Sequence, residues 1–170
     1  MPVKSFRGLI PNNETVKLNL ATNNGAIGYK VKKFQIMPVR SYNNYEITSK
    51  IFKVEPGTAS SDVDLSDNTI VATAFSGLAD GKYAGAKTVI FDNEIFNQDI
   101  YITAVDNGGS QDCNFYIELE QIKLDLNENT VATLKDIRNI EAIGQFSLVW
   151  AQQSTTSNLI GLWLKKLQPE

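Results

Sequence analysis

The chain has 170 residues, 42% of them hydrophobic and 21% charged, the balance of one folded globular domain and not of a disordered segment. Its net charge is −3 and no basic run is longer than a pair such as Lys32-Lys33, which excludes the basic footprint of a nucleic-acid binder. It contains no histidine, which removes the commonest general base and metal ligand together with every Ser-His-Asp or Cys-His arrangement. Cys113 is the sole cysteine, so an intrachain disulfide framework is excluded, as suits assembly in a reducing cytoplasm. Residues 1–7 lack the apolar run of a signal peptide, and no stretch approaches the roughly 18 apolar residues of a membrane span. Synthesis as a soluble cytoplasmic chain is therefore expected.

Short β-branched and aromatic runs alternate with turn clusters along the whole chain, the pattern of an all-β domain. Residues 15–20 place Val16, Leu18 and Leu20 against Lys17 and Asn19, a half-buried strand, and Asn23-Asn24-Gly25 supplies a turn. Residues 27–39 form the next strand. Tyr29 and Val31 share one parity there and Phe34 and Ile36 the other, which predicts a β-bulge near Lys32-Lys33. The loop Ser41-Tyr42-Asn43-Asn44-Tyr45 leads into a strand over 46–54 that Pro56-Gly57 stops. Residues 57–67 are turn-like, 69–75 a further strand, and the glycine-bearing stretch 77–85 reads as an exposed loop.

Residues 87–91 and 99–105 are strands, and Asn107-Gly108-Gly109-Ser110 turns the chain into a long strand over 114–125. The last two are predicted to pair as an antiparallel hairpin. Phe115, Ile117 and Leu119 occupy one face, and a parity change at Ile122 and Leu124 predicts a second bulge. Val131, Leu134, Ile137 and Ile140 recur at helical spacing after Asn127 or Asn129, predicting one short helix near residues 129–142 that ends by Gly144. The apolar runs 146–152 and 159–167, carrying Trp150 and Trp163, predict a closing hairpin. The expected architecture is mainly β, an antiparallel β-sandwich or jelly roll with that one short helix, in a single domain over 1–170.

Three groups of residues carry candidate chemistry. Asp62, Asp64 and Asp67 could present alternating oxygens to a calcium ion, but the sixth-position glycine and twelfth-position glutamate of an EF-hand loop are missing. Carboxylates capping local backbone donors are the plainer reading. Glu118 and Glu120, with Tyr116 beside them, form a carboxylate pair of the kind used in glycoside hydrolysis, and also the ordinary polar face of a solvent-exposed strand. Tyr42 and Tyr45, with Asn43 and Asn44, could stack and hydrogen-bond against a sugar or a protein. Cys113 has no acid-base partner nearby in sequence and reads as a packed thiol. The sequon Asn13-Glu14-Thr15 carries no weight without a signal peptide. No catalytic, cofactor-binding or metal residue is assigned on these patterns, and no cofactor is expected.

Longer stretches carry a resemblance. The opening Met1-Pro2-Val3-Lys4-Ser5-Phe6-Arg7-Gly8, the strand Gly28-Tyr29-Lys30-Val31-Lys32-Lys33-Phe34-Gln35-Ile36-Met37 and the segment from Phe91 to Tyr101 resemble a family of small virion structural proteins of marine tailed bacteriophages. So do Tyr116 to Asn127 and Ala132 to Asn139. The resemblance implies a non-enzymatic virion protein, made in the host cytoplasm and resident in the particle, with the major capsid protein as favoured partner. Other virion proteins and further copies of this chain are the remaining partners; nucleic acid and membrane are not expected. An accessory protein decorating the head shell is the leading expectation. A tail or head-fibre component is the nearest alternative, and a carbohydrate-binding β-sandwich comes after it.

Overall fold

Successive side chains of an extended chain point to opposite faces, so a period-two apolar pattern becomes a strand once a second layer covers its apolar face. The computed structural model describes residues 2–21, 26–79, 82–91, 93–125 and 130. These residues lie within one unit, Met1–Asp136, and the single domain expected over 1–170 is described for that unit alone. It contains β1 (Val3–Ile10), β2 (Glu14–Leu18), β3 (Ile27–Pro38), β4 (Tyr45–Phe52), β5 (Ile70–Ala79), β6 (Lys82–Ile90), β7 (Ile100–Asp106) and β8 (Cys113–Lys123). Apart from Thr130, the predicted helix falls outside the described residues, as do the turn at 23–25 and the closing hairpin.

The strands form two antiparallel sheets, one ordered β1-β8-β3 and the other β2-β7-β4-β5-β6. The sheets pack face to face as a β-sandwich. Ile10, Val31, Phe34, Phe115, Ile117 and Leu119 of the smaller sheet meet Ile47, Ile51, Ala72, Ile100, Ile102 and Ala104 of the larger in one core cluster. The nested pairing of β1 with β8, β2 with β7 and β4 with β5 is what remains when a long two-stranded ribbon is wrapped on itself, the jelly-roll pattern. Full wrapping would lay β6 beside β3; here β6 stays paired with β5. It reaches β3 through a hydrogen bond from Thr88 Oγ1 to the Phe34 carbonyl.

The bulge predicted in β3 is present: Val31 faces Leu119 and Lys33 faces Glu118, leaving Lys32 as the extra residue. That single insertion lets Tyr29 and Val31 before it, and Phe34 after it, all reach the core. No such step occurs in β8, whose register against β3 is unbroken from Gln121 to Lys123. Leu124 turns inward beyond the strand end, where its N–H bonds the Ala26 carbonyl and its side chain lies over Gly28. The expected bulge at 122–124 is thus a strand terminus.

Three further expectations are corrected. The predicted hairpin of β7 with β8 does not form: β7 lies between β2 and β4, and β8 between β1 and β3, in opposite sheets. The turn after β7 is a corner between layers, because both strands carry an apolar face and these faces meet across the core instead of lying side by side. Stretch 77–85 is mostly strand: Gly77 pairs with Gly85, and Gly85 takes a φ of 91° at a step in the β5–β6 register. Glycine accepts that left-handed conformation where other residues are strained. Lastly, residues 3–10 form β1, a strand the sequence pattern did not announce. Its inward positions are Phe6, Gly8 and Ile10, and Gly8 is opposite Phe115, whose ring occupies the space a Cβ would need.

Candidate functional site

The outer face of the three-stranded sheet is built by alternation and stays uncovered among the described residues. Leu9, Asn114 and Met37 form one cross-strand row, Arg7, Tyr116 and Gln35 the next, and Ser5, Glu118 and Lys33 a third. The first two rows border an open concavity of about 690 Å³ lined by Arg7, Gln35, Met37, Asn114 and Tyr116. Met37 is 65% exposed and Leu9 47% exposed, an unusual degree of solvation for two large apolar residues on one sheet face. Arg7 enters none of the ion pairs formed by the described residues.

Neighbouring charges on this face are already matched. Tyr116 donates its hydroxyl to Glu118 Oε1 at 2.8 Å, and Lys33 Nζ lies 3.8 Å from the same oxygen and 5.5 Å from the Tyr116 ring centre. The hydrogen bond to Glu118 is the main cause holding the Tyr116 hydroxyl above its usual pKa. Glu120 pairs with the bulge residue Lys32 at 3.5 Å. The two glutamates therefore act as cross-strand partners of β3 lysines, contributing little each in solvent. They share a face as the sequence implied, each engaged there by a lysine.

The aspartate group does not converge. Asp64 Oδ1 accepts the Ser66 N–H at 2.9 Å and its hydroxyl at 2.7 Å, and the hydroxyl is the larger cause holding the Asp64 carboxyl below its usual range. Asp67 Oδ1 accepts the same two donors from Thr69. Asp62 contributes its backbone carbonyl to Lys50 Nζ at 2.7 Å. These are turn-capping contacts, and among the described residues no three carboxylate, histidine or cysteine side chains are grouped as a metal site would need. Tyr42 is 80% exposed but Tyr45 is buried in the core as the first residue of β4, so the two rings do not share a surface.

Cys113 opens β8 fully buried, and loss of solvation pushes its thiol pKa up to about 12. The thiolate that would attack a reagent is thus absent at neutral pH. Native protein is expected to leave an aromatic disulfide reagent unreacted, with one thiol per chain appearing once denaturant is added. Prompt reaction of the native chain would place Cys113 at an open surface instead.

A site that sequence reasoning missed lies at the corner after β7. Asp106 is buried and its carboxylate gathers three backbone donors: Glu46 N–H at 2.7 Å and Gly108 N–H at 2.9 Å on Oδ1, and Gln111 N–H at 3.0 Å on Oδ2. Its own N–H donates to Asn12 Oδ1 at 2.7 Å, and Asn12 N–H donates to Asp112 Oδ1. Side chains thereby clasp both sheets at the end where the chain changes layer. A comparable clasp stands at Asp99, which accepts the N–H groups of Leu20 and Ala21 and pairs with Lys17 at 2.8 Å. Burial pushes the Asp99 carboxyl up, yet Lys17 and the two N–H groups outweigh it and hold it below the usual range. The signal for both was an Asp beside a strand end, too common to single out. No protein-family model matches the chain, and no curated protein is significantly similar to it.

Proposed function

We propose that this chain is a non-enzymatic structural protein of a tailed-phage particle, an accessory protein bound to the capsid shell. The observation that carries this reading is the open outer face of β1, β8 and β3, where the row of exposed Leu9 and Met37 adjoins the row of Arg7 on a two-layer frame. The residues that could have done chemistry are used otherwise: Glu118 and Glu120 pair with lysines, Asp64 and Asp67 cap turns, and Cys113 is packed away. The resemblance of the stretches around β1, β3 and β8 to small virion proteins of marine tailed phages supports the placement in a particle. A decorating protein acts by burying such a face against capsid subunits, adding binding energy that resists internal pressure.

Immunogold labelling of purified particles with antibody against this chain tests the reading. Gold distributed over the head is the expected result. Gold confined to one vertex or to the tail replaces it with a fibre or tail component. No labelling of intact or opened particles overturns the virion reading altogether.

A further inference from the structure

Two surfaces on opposite sides of the sandwich complement each other. The first is the concavity on the three-stranded sheet: a guanidinium outside every ion pair among the described residues, the carboxamides of Gln35 and Asn114, and the exposed apolar side chain of Met37, with exposed Leu9 in the cross-strand row at its border. The second is the turn Asp62-Val63-Asp64-Leu65. Val63 is 43% and Leu65 51% exposed there, between carboxylates that face solvent. This turn is fastened over the outer face of the five-stranded sheet, because Lys50, which alternates with the core residues Ile47 and Ile51, donates its Nζ to the Asp62 carbonyl. A chain cannot bring its own turn to its own concavity across the thickness of two packed sheets.

We infer that the concavity receives the 62–65 turn of a second copy of this chain, Arg7 meeting the Asp62 carboxylate while Val63 and Leu65 cover Leu9 and Met37. Charge complementarity selects this occupant. A basic centre with apolar flanks faces an acidic turn with apolar flanks, and the overall charge of −3 disfavours contacts that do not match sign. A sugar is the poorer fit, because Lys33 already lies against the Tyr116 ring that would stack on it. The contact joins two different patches, so it is heterologous: it propagates from copy to copy and either closes as a ring or extends as an array. The inference concerns the isolated chain: the face is the one offered to capsid subunits above, so a copy docked there in solution would give way to the shell on binding.

Sedimentation velocity of the full chain over a concentration series tests it. The wild type should self-associate, less so at high salt because the central pair is ionic. Arg7→Glu and Asp62→Arg should each weaken association about tenfold or more, since each leaves two like charges facing one another. Their equimolar mixture should regain association beyond the dimer, because native Arg7–Asp62 contacts alternate with reversed ones between the introduced glutamate and arginine; the double variant R7E/D62R, which holds only reversed contacts, should associate like the wild type. Arg7 is solvent-facing, so Arg7→Glu should leave the melting temperature unchanged, whereas Asp62 also attracts the buried Lys50 ammonium, so Asp62→Arg should melt somewhat lower; if Arg7→Glu disturbs folding, Met37→Glu reads the same face. A wild type that stays monomeric throughout, a mixture that stays monomeric, or single variants that associate normally overturns the inference. Loss of particle binding by Arg7→Glu alongside a monomeric wild type would hand this face to a different protein.

Discussion

Replacing Phe34 by alanine is expected to destabilise the protein by about 3–5 kcal/mol, at the upper end of what core truncations give. Phe34 is buried on β3, an outer strand of the three-stranded sheet, opposite Ile117 of the central β8, and enters the core from the first inward position after the β3 bulge. The size of the loss depends on how far the surroundings collapse into the space vacated. Here they are held on two sides: β3 is fixed by its ladder to β8, and the Phe34 carbonyl accepts the Thr88 hydroxyl of β6 at 3.2 Å. A fall in thermal midpoint of roughly 10 °C or more should accompany the change in a chain of this size. Phe34→Leu keeps most of the volume and should lose much less. A truncation that shifts the urea midpoint only marginally would mean that β3 relaxes inward in spite of its ladder to β8 and the Thr88 hydrogen bond.

Asp106→Ala should be the most damaging polar substitution, at about 3 kcal/mol, because it removes the acceptor of three backbone N–H groups at once. Asp106→Asn retains one carbonyl oxygen and should fall between alanine and wild type. The neighbouring Gly109→Ala attacks the same corner by another route: its added Cβ would sit 2.4 Å from the Asn44 carbonyl oxygen, a backbone atom that cannot swing aside. Because both changes act on one corner, their effects should combine less than additively. Hydrogen exchange supplies the specific readout. The amides of Glu46 and Gly108 should lose protection in Asp106→Ala while the centre of β8 keeps its own. Stability within about 0.5 kcal/mol of wild type would show that water replaces the carboxylate at this corner without penalty.

The corner also explains the largest misreading of the sequence. Asn107-Gly108-Gly109 has the composition of a hairpin turn, and the strands on either side have matching apolar faces. Composition shows that the chain bends there, not whether its arms remain in one sheet. That choice was made by Asp106 and by the close approach of Gly108 and Gly109 to the backbone of residues 44–46, contacts between positions some sixty apart in sequence. Stretch 77–85 failed in the opposite direction. Its glycines suggested a loop, whereas Asp80-Gly81 is the two-residue pattern that tight hairpins favour, and Gly85 accommodates the positive φ of a bulge. The site was legible only in part: Tyr116, Glu118 and Glu120 were seen on one face, but Arg7 and Leu9 belong to a strand that alternation alone did not reveal.

What the sequence by itself determined was local. Period-two alternation set the strands of β2, β3 and β8, β-branched and aromatic runs between turns set those of β4 and β7 and parts of β5 and β6, and the parity slip at Lys32 located a bulge, because side-chain direction follows directly from position along an extended chain. The cappings by Asp64 and Asp67 are equally local, each spanning two residues. Tertiary structure alone decided the sheet to which each strand belongs, the nested order of the two layers and the open concavity on β1, β8 and β3. Those depend on hydrogen-bond ladders and on layer packing between distant segments, and a strand's own periodicity is the same whichever neighbour it finds.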